Sequence, residues 1–148
     1  MRSLRQVAST PVMEGAVELV STLTVRAAEV LPDDVRVWVT RGALKVESSD
    51  PLAPAGATML GLAMRGGMLQ HSSTPESPLL AVTIWFGETL QGMVTQTLRA
   101  PWPNTQAKPH CAITSSELRL WWGGPDESEA EVALRPIPRE DVRMEWPT

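Results

Sequence analysis

Apolar residues recur at helical spacing through Met13, Ala16, Val17, Val20, Leu23, Ala27 and Val30, with Glu14, Glu18, Arg26 and Glu29 largely off that stripe. Such a stripe predicts an amphipathic helix. Thr10 and Pro11 suit its start, the threonine as an N-cap acceptor and the proline at a position whose amide has no helical partner. Leu31-Pro32-Asp33-Asp34 ends it, because the proline ring cannot continue the helix and the aspartates favour a turn. The period then changes to two. Val35, Val37 and Val39 alternate with Arg36, Trp38 and Thr40, Arg41-Gly42 supplies a short turn, and Leu44 and Val46 alternate with Lys45 and Glu47. This predicts a hairpin. A loop with Pro51 and Pro54 follows, then a third strand over Ala57 to Met64 and a Gly/Ser/Pro-rich connection from Gly66 to Pro78.

The second half repeats the order. Val82, Phe86, Leu90, Met93 and Thr97, widened by Leu79, Val94 and Leu98, predict a helix capped at Thr74-Pro75 or Ser77-Pro78. Ala81 to Phe86 alone has strand composition, but the longer period outweighs it. His110 to Thr114 and Glu117 to Trp122 read as strands around a Ser115-Ser116 turn. Gly123 to Ala130 reads as an acidic loop, and Glu131 to Ile137 as a third strand confined to an edge by Pro136 and Pro138. The tail from Arg139 to Thr148 reads as irregular or as a short helical turn.

The element order is therefore α-β-β-β-α-β-β-β, which predicts one α+β domain over 1–148. It has two layers, with an antiparallel sheet of about six strands and the two main helices on one face. An internal pseudo-repeat relating 11–64 to 75–137 is also indicated. At an offset of 74, Val39-Thr40 matches Ile113-Thr114, Leu44-Lys45-Val46 matches Leu118-Arg119-Leu120, and Pro51 matches Pro125.

Composition narrows the function classes. At 148 residues with 43% hydrophobic and 20% charged residues, the chain has the make-up of one globular domain. A net charge of −4 disfavours nucleic acid as a partner. The longest apolar run, Leu79 to Phe86, is too short to span a bilayer, and no uninterrupted apolar core follows the basic start at Arg2 and Arg5, so neither a membrane nor a signal peptide is expected. The single cysteine, Cys111, cannot form an intrachain disulfide, which suits a cytoplasmic protein. Arginine far outnumbers lysine, present only as Lys45 and Lys108, and tyrosine is absent, a bias that suits a GC-rich bacterial genome.

No catalytic, cofactor or metal motif emerges. His110 and Cys111 are adjacent on a strand and point to opposite faces, so they do not make a thiol-imidazole pair. The histidines, His71 and His110, lack chelating spacing, and Asp33-Asp34 and Asp126-Glu127-Ser128-Glu129 follow no calcium-loop pattern. Gly66-Gly67 is followed by neither the Lys-Ser/Thr nor the immediate helix that a phosphate cradle needs.

The tryptophans are more informative. Trp38 lies between Arg36 and Thr40, opposite the valine face of its strand, and Trp121 shares a face with Arg119, opposite Leu118, Leu120 and Trp122. With the valine and leucine face against the helices, Arg36, Trp38, Arg119 and Trp121 are expected on an open outer face. Tryptophan and arginine are enriched where proteins dock. This predicts a non-enzymatic protein-binding module without cofactors: an adaptor, a chaperone-like protein, an inhibitor of another protein or a subunit that self-associates as a homodimer. The competing expectation is a small-molecule-binding protein or a small enzyme with a pocket between sheet and helices, lined by Trp85, Phe86, Met59, Met64 and Met93, with Met68 and His71 as a lid. The order α-β-β-β-α-β-β is similar to that of type III secretion chaperone-like domains. That resemblance implies dimerisation and the holding of extended protein segments, and it stops where this chain has a strand in place of a third helix.

Overall fold

The computed structural model describes residues 4–40, 43–48, 58–59 and 77–147, the backbone alone at 4–14 and 58–59. Helix α1 (Leu4–Ala28) starts upstream of Thr10-Pro11 and runs through the proline. Leu4, Arg5, Gln6 and Ala8 are good helix formers that favour these extra turns, and Pro11 withdraws only one donor from the hydrogen-bond ladder. Helix α2 (Pro78–Leu98) uses the second of the two expected caps: Ser77 Oγ accepts the amide of Leu80 at 3.2 Å, with Pro78 in the first helical turn. Its expected stripe of Val82, Phe86, Leu90, Met93 and Thr97 is buried throughout. Helical period, rather than the strand composition of 81–86, decides this segment.

Strands β1 (Val35–Thr40) and β2 (Ala43–Ser48) form the expected hairpin, and β3 (Thr58–Met59) adds to β2. Ala57 and 60–64, the rest of the expected third strand, lie outside the described residues. Strands β4 (Lys108–Ile113) and β5 (Glu117–Gly123) form the second hairpin around Ser115-Ser116. The last expected strand is interrupted. β6 (Ala130–Ala133) and β7 (Ile137–Pro138) both pair with β5, separated by a stretch that contains Pro136. The fold is α+β, and among the described residues two helices and antiparallel strands follow the expected order. The described strands fall into two ladders, β1-β2-β3 and β4-β5-β6 with β7 also on β5.

The two hairpins share one register at the offset of 74. Val39 opposite Leu44 corresponds to Ile113 opposite Leu118, and Val37 opposite Val46 corresponds to Cys111 opposite Leu120. The helices begin at the same offset, at Leu4 and Pro78. Leu44 pairs with Met59 on β3 and Leu118 with Ile137 on β7, a separation four residues longer in the second half, where β6 lies between the paired strands.

One core joins the halves. Ala16, Leu19, Val20 and Leu23 of α1, Leu79, Phe86 and Leu90 of α2, Val37, Leu44 and Val46 of the first hairpin, and Leu118, Leu120 and Trp122 of the second all belong to it. Helix α2 comes close to β4 and β5 at Gly87, where a Cβ would lie 2.8 Å from Pro109 Cβ and 3.2 Å from Leu120 Cδ1. Trp122 Nε1 donates to the Gly87 carbonyl at 3.0 Å across that contact. The tail folds back. Met144 lies against Gly15 of α1, Trp146 Nε1 donates to the Thr114 carbonyl at 2.9 Å, and both side chains are buried in the core.

Candidate functional site

Strand period sends Arg36 and Trp38 to the face opposite Val35 and Val37, which are buried. Trp38 is half-buried and Arg36 exposed, with the guanidinium carbon 5.3 Å from the centre of the Trp38 ring. This is a cation-π contact on a partly solvated surface. Register places Lys45 across from Trp38 and Glu47 across from Arg36. Alongside β1 lies an open recess lined by Ala28, Val35, Arg36, Val37 and Trp38, at the C-terminal end of α1. Among the described residues β1 is an edge of its ladder.

Arg119 and Trp121 also share one face of their strand, but this face is not open. Trp121 is only 4% exposed. Its ring stacks on His110 at 5.9 Å between centroids with 29° between planes, and its Nε1 donates to the Gly124 carbonyl at 3.0 Å. The Arg119 guanidinium donates to Glu127 at 2.9 Å and to Glu117. The expectation of an exposed Trp121 is therefore corrected: the loop following β5 caps it. That loop is itself built to hold its shape. Asp126 Oδ1 accepts the amide of Ser128 at 2.9 Å, Glu129 Oε1 accepts the amide of Asp126 at 3.3 Å, and a turn of 3₁₀-helix over Glu127–Glu129 results. The hydrogen bonds from Ser128 hold the Asp126 carboxyl below its ordinary range.

The two outer faces thus differ in kind. Of the four residues expected to form one open surface, the structure leaves Arg36 and Trp38 facing solvent and uses Arg119 and Trp121 to anchor a loop of the same chain. His110 and Gly124 were missed in the sequence. Counting back from the Ser115-Ser116 turn puts His110 opposite Trp121 and would have found the stacking partner. Nothing in local sequence marks the Gly124 carbonyl as an acceptor.

Among the described residues the face brings together no acid–base or nucleophilic constellation. His110 and Cys111 point to opposite sides of β4: the imidazole lies on Trp121 and the thiol packs against the core, where burial pushes it up to about 12. Trp85, Phe86 and Met93, considered as pocket walls, are close-packed members of the core. Met64, Met68 and His71 lie outside the described residues, as does the side chain of Met59. Among the described residues no three His, Cys, Asp or Glu side chains gather as metal ligands. Nor is any described helix long and apolar enough to cross a membrane.

No family model matches this chain. Neither does a curated protein or a solved structure. The functional reading therefore rests on the geometry of the outer face.

Proposed function

We propose that the protein is a non-enzymatic protein-binding module, of the adaptor, chaperone-like or assembly-subunit kind, that docks a polypeptide on the outer face of the first hairpin. The observation that carries this reading is the Arg36–Trp38 pair, beside an open recess on a strand that is an edge among the described residues. An indole stacked with a guanidinium offers a large rigid contact area at small entropic cost, the make-up of an interface anchor. The edge strand adds main-chain donors and acceptors beside it. The reading includes action in the bacterial cytoplasm, supported by the single, partly buried cysteine and by the predominance of arginine over lysine.

The test combines light scattering after size exclusion with photo-crosslinking. A benzophenone amino acid placed at position 47, exposed on the same face, is irradiated in cell extract and in the purified protein. The reading requires one discrete adduct, either with another protein or with a second copy, that disappears when Trp38→Ser is added. A monodisperse monomer that gives no adduct, or an adduct indifferent to Trp38→Ser, overturns it.

A further inference from the structure

The outer faces of the two hairpins meet their cations differently. At the offset of 74, Lys45 and Arg119 occupy the same register position on the outer face. Around Arg119 the chain supplies its own cover: Glu127 approaches the guanidinium, the Gly124 carbonyl receives an indole N–H, and the loop carries Asp126, Glu127 and Glu129. On the first hairpin the indole sits on the other strand: Trp38 stands across from Lys45, where the second hairpin has Ala112 across from Arg119, and Arg36 stacks on the Trp38 ring. Among the described residues, no carboxylate-bearing loop lies over them.

We propose that the outer face of the first hairpin takes an acidic polypeptide loop of another protein, its carboxylates meeting Lys45 and Arg36 and its backbone lying over the Trp38 ring. This rests on the protein-binding reading above and names the chemistry of the partner. Charge supports it: two cations flank Trp38, with Glu47 across from Arg36 as the one carboxylate on the described part of this face, in a chain whose net charge is −4. A second copy is the poorer occupant. Its acidic loop is already engaged, with Glu127 on Arg119, Asp126 on the Ser128 amide and Glu129 on the Asp126 amide.

The probe is a synthetic peptide with the sequence of residues 123–132, Gly-Gly-Pro-Asp-Glu-Ser-Glu-Ala-Glu-Val, titrated into the ¹⁵N-labelled full chain. Shifts of the Trp38 indole N–H and of the Arg36 and Lys45 amides report binding. The expected result is saturable shifts confined to this face. Lys45→Glu and Arg36→Glu should each weaken binding about tenfold, and added salt should weaken it further. The same peptide with Asn and Gln in place of its carboxylates should shift nothing. Equal binding of the neutral peptide overturns the acidic-partner inference while leaving a peptide-binding face. Concentration-dependent shifts of the same residues without peptide overturn it in favour of a second copy. No shift with either peptide, together with an empty crosslinking experiment, removes the binding reading itself.

Discussion

Two glycines of α2 make a matched pair. Gly92 has nothing within 4 Å of the point where a Cβ would stand, whereas a Cβ on Gly87 would lie 2.8 Å from Pro109 Cβ and 3.2 Å from Leu120 Cδ1. Both sit inside the helix, so both gain about 1 kcal/mol of intrinsic propensity on becoming alanine. Gly92→Ala should keep that gain. At roughly 2.1 cal/mol/K of unfolding entropy per residue, a chain of this length should melt about 3 °C higher. Gly87→Ala must in addition push α2 off β4 and β5. Overpacking of that kind costs about 1–3 kcal/mol. The Trp122–Gly87 hydrogen bond, stretched by the same displacement, forfeits up to about 1 kcal/mol more. Because the propensity gain is common to both variants, the difference between them isolates the packing cost, expected at about 1–4 kcal/mol. Urea unfolding of the two variants with unchanged m-values measures it directly. A Gly87→Ala variant as stable as Gly92→Ala would refute the close approach of α2 to the second hairpin.

Three other outcomes are expected. Gly123→Ala should lose about 3 kcal/mol by urea unfolding, because a Cβ there would stand 2.4 Å from the Glu129 carbonyl oxygen and 2.8 Å from Ala130 Cα, backbone atoms that cannot rotate away; a neutral substitution would mean that the acidic loop does not lie across β5. Trp121→Ala should cost about 3 kcal/mol and Trp38→Ala less than about 1 kcal/mol, since one ring is buried and the other half-exposed; equal losses would contradict the difference between the two outer faces. Burial raises the Cys111 thiol to about 12, so its contribution to stability is intact below the ordinary thiol pKa of 9.0 and is lost as pH rises from there through about 12. The native thiol should accordingly react far more slowly with Ellman's reagent at pH 8 than the unfolded chain, and Cys111→Ala should flatten the alkaline fall in stability. A fast native reaction would place the sulfur in solvent.

The sequence was most legible where one period persisted. The stripe from Leu79 to Thr97 fixed both the type and the buried face of α2, because a side chain every third or fourth residue has only one way to reach a common core. Chain length likewise determined both hairpin registers: Thr40 stands opposite Ala43, and Thr114 bonds to Glu117, with two residues between in each case, which leaves no freedom in which residues stand opposite. The start of α1 was less legible. Pro11 resembles a first-turn proline, and only the residues before it reveal that the helix is already under way.

Faces could be assigned from alternation, but exposure could not. Trp38 and Trp121 both stand opposite an apolar face in the sequence, and both do so in the fold. What separates them is a loop that returns over Trp121, anchored by Arg119–Glu127 and by the Gly124 carbonyl. Its position follows from the bulge between Trp122 and Gly123 and from the capping of Asp126, neither of which strand periodicity encodes. The same holds for the tail, whose Met144 and Trp146 find their places only because α1 presents Gly15 and the second hairpin presents the Thr114 carbonyl. Period and turn length are local properties and act through the backbone of one segment. Covering a face is a contact between segments far apart in the chain, and only the assembled core brings them together.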